Sequence, residues 1–354
     1  MKLLVLPGDD IGPEIIPVAV EVLEAVNRKF ALGIELTYAK VGMEAHAESG
    51  STMPDTLITQ AKAHDGIILG PLGTYAYPPK EQGGINPSGR FRKSLDLYAN
   101  LRPAKTYQGV PSTVAAMDLV VARENTEGFY ADRNMFAGSG EFMPTEEVAL
   151  AVRKITRAGC ERIARSAFTL AQRRRRKVAV IHKANVLKMT CGMFRDISFG
   201  VAKEFPDVEV EELIIDAAAA HLVRRPASFD VLLTSNMYGD ILSDLACELS
   251  GGLGMGPSIN VGDQFGLAQA SHGSAPDIAG QDKANPGGII LSVAMLLGWL
   301  GDRHNRPEYH QAQQAIEAAV TRQLQDPAGR TGDLGGSAGT RAFGDRLVKA
   351  VLAG

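Results

Sequence analysis

The sequence predicts an α/β fold with a large, mostly parallel sheet, and three observations support it. Over the first 70 residues, strand-like and helix-like segments alternate in the order strand, helix, strand, helix, strand. Four later strand ends each carry a charged group, Arg123, Lys183, Asp216 and Asp240. Strand ends along one edge of a parallel sheet converge, which makes a shared site there plausible. No Gly-x-Gly-x-x-Gly follows any predicted strand, so the fold is not a classical Rossmann fold.

Taken in order, Lys2 to Leu6 predicts a strand and residues 11–29 an amphipathic helix. Pro13 and Glu14 suit the first turn of that helix. A strand over 33–38, a helix near 55–64 and a strand over 66–69 follow. Residues 75–91, rich in Gly, Pro and Tyr, read as a long structureless loop of the kind that is usually functional or disordered. Arg92 and Arg102 flank an apolar stretch. They are either two surface arginines or a pair of planar forks for carboxylates. A strand over 118–122 ends at Arg123, and Tyr130 lies seven residues on, which fits a polyanion site with an acid nearby.

Residues 135–144 are Gly-rich and predict a projecting arm or hairpin, and 146–173 one long helix. The strand over 178–181 leads to Lys183, which is either an exposed lysine or a base. Asp216 closes a strand over 209–215. A buried strand over 229–233 then introduces a helix carrying Asp240 and Asp244. Four apart, these carboxylates project from one helix face and repel unless something positive sits between them. Hard oxygens at that spacing suit Mg²⁺ or Mn²⁺. Read alone, Asp240 is as readily a helix cap and Asp244 a solvated side chain.

Residues 251–257 predict a flexible connector. Residues 272–280 form a polar loop, and Asn285-Pro286 opens an apolar helix over 287–300. Small residues in that loop let backbone approach a flat ligand. Asp277 is a turn residue or an acceptor for a ribose hydroxyl pair, in which case it repels a 2′-phosphate. Two helices, 309–324 and 339–352, flank a tight loop at 332–336.

Composition bounds the function. The 354 residues suggest about two domains. The hydrophobic content of 45% and charged content of 22% are ordinary for a soluble enzyme. A net charge of −3 argues against a general nucleic-acid binder. The basic run Arg173 to Lys177 directly precedes a strand and reads as a solvated helix end. Cys160, Cys191 and Cys247 are widely spaced, which suggests a reducing compartment. No signal peptide is visible, and the longest apolar segment, 289–300, is too short for a bilayer. A soluble, cytoplasmic protein with no membrane partner is expected.

The segments LPGDDIGPE, RKSLDLYANLRP, RENTEGFY, HKANVLK, SNMYGDILSD, HGSAPDIAG, ANPGGIILS and DLGGSAGT occur in this order over nearly the whole chain. Together they resemble the NAD-dependent β-decarboxylating dehydrogenases, the family of isopropylmalate, isocitrate, homoisocitrate and tartrate dehydrogenases. The resemblance implies an isopropylmalate dehydrogenase-like two-domain fold. Residues 1–100 and 253–354 would form a discontinuous cofactor-binding domain, and 101–252 a central domain for dimerisation, metal and catalysis. It further implies that Arg92, Arg102 and Arg123 hold the malate-like carboxylates, and that Asp216, Asp240 and Asp244 bind Mg²⁺ or Mn²⁺. Lys183 would be the base and Tyr130 the acid. Asn185 would lie near the nicotinamide. His272, Gly273, Ala275, Asp277, Ile278, Asn285 and Asp333 would line the adenosine side of NAD, with Asp277-Ile278 marking NAD over NADP. K⁺ is a further candidate cofactor. Lys183 and Asp216 would reach into the site of the partner subunit of a homodimer; dimer against tetramer stays open.

Two departures stand out. Asp10 replaces the usual glycine of the first motif, at a place where Asp tolerates left-handed backbone. The stretch Asn86 to Arg90 lacks the leucines that hold an isopropyl group in isopropylmalate enzymes. Asn86, Ser88 and Arg90 instead lean toward a polar or anionic C3 substituent, as in isocitrate and homoisocitrate enzymes; a 3-isopropylmalate dehydrogenase-like activity stays open, and a tartrate or D-malate type is the alternative. A non-catalytic regulatory subunit would have lost Lys183, Tyr130 or an aspartate, and all are present. A metal-free Rossmann dehydrogenase of 2-hydroxy acids conflicts with the aspartate cluster and the missing glycine fingerprint.

Overall fold

The computed structural model describes residues 1–130 and 135–353. The N-terminal part runs β1 (Lys2–Leu6), α1 (Gly12–Lys29), β2 (Glu35–Tyr38), α2 (Met43–Ser49), α3 (Thr56–Lys62), β3 (Gly66–Leu69) and α4 (Pro87–Ser94). The middle runs β4 (Ala99–Lys105), β5 (Asp118–Glu124), the hairpin β6 (Glu141–Thr145) and β7 (Val148–Ala151), then α5 (Arg157–Gln172), β8 (Lys177–His182), α6 (Thr190–Ala202), β9 (Glu209–Ile214), α7 (Ile215–Arg224), β10 (Val231–Thr234) and α8 (Asn236–Ser250). The last part runs β11 (Ile259–Val261), β12 (Gly266–Ala268), α9 (Gly287–His304), α10 (Pro307–Gln323) and α11 (Thr340–Ala353).

Ten strands form one sheet in the order β2-β1-β3-β12-β11-β4-β5-β10-β8-β9. Its pairings are parallel except around the centre, where β12–β11, β11–β4 and β4–β5 are antiparallel. The predicted α/β class with a large, mostly parallel sheet is therefore correct.

One face of the sheet carries a continuous apolar core against α1, α5, α6, α9, α10 and α11. The core on the other face is split. One cluster lies over β1, β3 and β12 with Leu57, Ala61 and Phe91, and another over β5, β8 and β10 with Leu222, Leu242 and Ala246. Between them β4 and β11 present Asn100, Arg102 and Asn260, all buried and polar. Apolar packing cannot close over such a strip, and the gap becomes a cleft.

Several sequence expectations change. The 146–173 helix is shorter: Glu146 and Glu147 turn a hairpin, and the helix starts only after Thr156, whose hydroxyl accepts from Gly159 N at 3.1 Å. The arm expected around 135–144 is that hairpin, with both strands exposed. The loop over 75–91 is not structureless; it has short 3₁₀ turns and the start of α4. The basic run is more than a solvated helix end. Arg174 pairs with Asp118 at 2.7 Å and with buried Asp230 at 2.8 Å, tying α5 to two strand starts. Asp10 sits at φ 51°, the left-handed region expected of it. The three cysteines are free and buried. No described helix is long and apolar enough to cross a membrane.

Candidate active site

The cleft is built from the ends of β4, β5 and β10 and the first turns of α8. Arg102 projects from β4 and is only 5% exposed. Its Nε donates to Asn100 at 2.7 Å. Its Nη1 donates to Asp240 at 3.0 Å and Ser243 at 2.9 Å, and reaches Asp244 at 3.5 Å. Arg123, on β5, is 1% exposed; Nε donates to Asn236 at 2.8 Å and Nη1 to Asp240. Asn236 in turn donates to the Glu127 carbonyl at 2.9 Å, which fixes the loop leading to Tyr130.

Gly239 makes this approach possible. A Cβ there would stand 2.7 Å from both Cβ and Cγ of Arg123, so α8 can lie on the arginine stem only if this residue has no side chain. The Tyr130 hydroxyl donates to the other oxygen of Asp240, and Arg123 lies 5.4 Å from the Tyr130 ring centroid. Arg92, on α4, donates from Nε to Asn260 at 3.2 Å, and its charge is felt by both Asp240 and Tyr130. The structure thus brings Arg92, Arg102, Arg123, Tyr130, Asp240 and Asp244 together.

The environment sets the protonation states. Burial raises the Asp240 carboxyl, but Arg123, Arg102, the Tyr130 hydrogen bond and Arg92 outweigh it and hold the pKa below the usual carboxylate value. Burial, reinforced by Asp240, pushes Asp244 up against the pull of Arg102 and Arg123. Burial also raises Tyr130, with Arg123 opposing and Asp240 adding, so its hydroxyl keeps its proton at neutral pH.

Lys183 and Asp216 stand apart from this centre. Lys183, just past β8, donates to Asp216 on the first turn of α7 at 2.5 Å, and that bond lowers the Asp216 pKa. Asn185 is exposed on the same loop as Lys183. Among the described residues, no three His, Cys, Asp or Glu side chains gather to hold a metal. Asp240 and Asp244 do offer hard carboxylate oxygens on one helix face, which fits two positions of an Mg²⁺ or Mn²⁺ site. Among the described residues no third carboxylate joins them.

The predicted cofactor loop lies between α9 and the β1–α1 turn. Ser274 accepts from Ile11 N at 3.2 Å, and Ala275 is held at φ 44°, a strained conformation for a residue with a Cβ. The Nε2 of His272 is buried without a hydrogen-bond partner, an orphaned group that fits a ligand contact. Asp277 and Gly273 are exposed, and Ile278 is half-buried. Asn285 donates to Asp333 at 2.9 Å, drawing the start of α9 to the 332–334 turn. This donor set fits a dinucleotide.

The selecting loop is corrected in part. Arg90 faces away and pairs with Asp55 at 3.2 Å, and Asn86 caps α4 by accepting from Gly89 N at 3.2 Å. Ser88 lies on the same face of α4 as Arg92 and donates to Gln269 at 3.0 Å. The supporting residues Asn100, Asn236, Asn260 and Ser243 escaped sequence reasoning; their signal was a buried polar residue inside an otherwise apolar strand or helix start.

A large mixed sheet with buried arginines, paired carboxylates and a tyrosine gathered along it marks an α/β enzyme with a small-molecule substrate. A sequence profile of the isocitrate/isopropylmalate dehydrogenase family matches residues 2–347, and the chain belongs to that family. It is 39% identical over 99% of its length to a 3-isopropylmalate/3-methylmalate dehydrogenase of Methanocaldococcus jannaschii, covering 98% of that protein. It is 41% identical over 99% of its length to an isocitrate/homoisocitrate dehydrogenase of Thermus thermophilus, again covering 98%. Among solved structures, isocitrate dehydrogenase from Methylococcus capsulatus superposes with a TM-score of 0.88 at 38% identity over 99% of both chains. The protein is accordingly a decarboxylating dehydrogenase of this family.

Proposed function

We propose that the protein oxidises a 3-substituted malate with NAD and a divalent metal, releasing CO₂ and a 2-oxo acid. The observation that carries this reading is the convergence of Arg102, Arg123 and Tyr130 on Asp240, one helical turn from Asp244. In this reading Arg92, Arg102 and Arg123 turn toward the substrate carboxylates, and their fork geometry orients them. Asp240 and Asp244, with Asp216 of a second copy, hold Mg²⁺ or Mn²⁺; when bound, the cation supplies Lewis-acid polarisation of the reacting oxygen. The 272–278 loop, Asn285 and Asp333 would hold NAD, which would supply the hydride acceptor. Lys183 of the second copy takes the hydroxyl proton. Tyr130 returns a proton to the carbon that has lost CO₂, and its raised pKa keeps it in the donor form. Asn185 would lie near the nicotinamide.

The separation of the Lys183–Asp216 pair from the Asp240 centre supports a site completed across a homodimer. The proposed domain division, 1–100 with 253–354 around 101–252, places the cleft between the two parts. The substituent at C3 meets the face of α4 that carries Ser88 and Arg92, which supports a polar substituent such as that of isocitrate or homoisocitrate. A smaller hydroxylated substrate of the tartrate or D-malate type is the alternative.

The test is NADH formation with malate, tartrate, 3-isopropylmalate, isocitrate and homoisocitrate, each with Mn²⁺ and with EDTA, and with or without K⁺. Turnover of isocitrate or homoisocitrate that EDTA abolishes is expected. Metal-independent turnover would overturn the aspartate site, and preference for 3-isopropylmalate would overturn the role given to Ser88.

A further inference from the structure

Behind the arginine–carboxylate centre, through a single layer of sheet, lies a cavity of about 920 Å³. Its floor is the opposite face of β4 and β11. Leu101 and Ile259 line it, alternating with Arg102 and Asn260, which face the cleft. One wall is α5 and the residue that caps it, with Ser166 and Arg173; the other is α9, with Met295, Trp299 and Arg303. The indole of Trp299 fits against β12 because residue 266 is glycine; a Cβ there would stand 2.7 Å from the ring.

The charge around this apolar floor is one-sided. Four arginines, Arg162, Arg165, Arg173 and Arg303, face two aspartates, Asp263 and Asp302. Arg162, Arg165 and Arg173 pair with Asp96, Glu204 and Asp302. Arg303 differs. It donates to the Asp263 carbonyl and, at 2.7 Å, to the Gln264 side chain, both neutral acceptors. Among the described residues no carboxylate lies within ion-pair distance of it. Its guanidinium sits 5.5 Å from the Trp299 ring centroid, at the edge of the cavity. A cation without a counter-ion beside an apolar, ligand-sized cavity is complementary to an anion with an apolar body.

We propose that this cavity binds a small amphipathic carboxylate, its head group on Arg303 and its apolar chain over Trp299, Met295, Leu101 and Ile259. The site is separate from the cleft and needs neither metal nor dinucleotide.

Trp299 is the only tryptophan of the chain, so its fluorescence reports occupancy directly. Decanoate titrated into the full-length protein is expected to change that fluorescence saturably, with an apparent Kd on the order of 0.1 to 1 mM for a ligand of this size. Arg303→Gln is expected to weaken binding about tenfold by removing the charge-assisted hydrogen bonds. Ser166→Leu, which fills the cavity from α5, is expected to abolish it while leaving basal turnover unchanged. Acetate, lacking the apolar body, is expected to give no signal. No saturable change up to about 10 mM decanoate, an order of magnitude above the weakest expected Kd, overturns the proposal. So does a change that both variants leave intact. The readout is binding to the resting protein, so it stands or falls independently of the dehydrogenase reading.

Discussion

Asp240 and Asp244 lie one turn apart on α8, yet their carboxyls are driven in opposite directions. Asp240 accepts from Arg102, Arg123 and Tyr130, and is held below its ordinary pKa despite its burial. Asp244, 51% exposed at its side chain, reaches only Arg102, at 3.5 Å, among the described residues and is pushed up by burial and by Asp240. The first is a fixed anion; the second is the weaker partner of the pair.

This asymmetry predicts the pH dependence of metal binding. A raised carboxyl must lose its proton before it can ligate, so Mn²⁺ affinity falls as pH drops, and the fall begins at higher pH than an ordinary aspartate would give. Asp240, with its depressed pKa, stays ionised over that range and does not contribute to the limb. Titration of Mn²⁺ by electron paramagnetic resonance across acidic pH measures it. Asp244→Asn should remove the limb together with most of the affinity, whereas an unchanged limb in that variant would assign it elsewhere.

Arg102→Met removes the cation that sits between the two carboxylates. A loss of about 2 to 3 kcal/mol in urea unfolding is expected, less than a fully buried pair would lose because Asp240 is partly open to solvent. Saturating Mn²⁺ should restore more stability to this variant than it adds to the parent, since the metal supplies the missing counter-charge. The KM for substrate should rise by roughly two orders of magnitude with the loss of a bidentate carboxylate contact.

Tyr130→Phe tests the acid. The ring remains to pack beside Arg123, so KM should change little, while kcat falls by roughly 10² to 10⁴. Solvent deuterium should enter the product more slowly than NADH forms in a single turnover. A kcat within a few-fold of the parent would remove Tyr130 from the chemistry.

A shared site predicts complementation. Lys183→Met and Tyr130→Phe chains are each inactive alone. Refolded together, they should form mixed dimers with one intact site, giving about a quarter of the parent activity by statistical pairing. No recovery, with mixed dimers shown by mass spectrometry, would place Lys183 and Tyr130 in the same chain's site.

Much of the fold was legible because its parallel strands are buried on both faces and read as continuous apolar runs, as in Leu3 to Leu6 or Val231 to Leu233. Two of the strands under the cleft, β4 and β11, were not. In β4, Asn100, Arg102 and Pro103 break any apolar pattern, and β11 spans three residues around buried Asn260. The polar residues that make the site are what hide its strands. The start of α4 had a readable signal, an Asn cap followed by Pro at the first helical position. The second strand of the hairpin was hidden for another reason: Glu146 to Ala151 is composed mostly of good helix formers, and an exposed two-stranded arm is not specified by burial.

The candidate residues themselves were legible as charged groups at strand ends. Their pairing was not, because Arg102 and Asp240 are 138 positions apart and meet only when β4 and α8 pack.

The central antiparallel strands also dictate when the molecule can fold during its synthesis. β3 is complete at Leu69, but its inner neighbour β12 begins at Gly266. At ribosomal speed that interval lasts roughly 10 to 40 seconds. Through it β3 waits for its inner neighbour, whereas β5 and β8 wait only until β10 is complete at Thr234. The nascent chain therefore emerges with its beginning waiting for its end, and chaperone demand should concentrate on the first 70 residues.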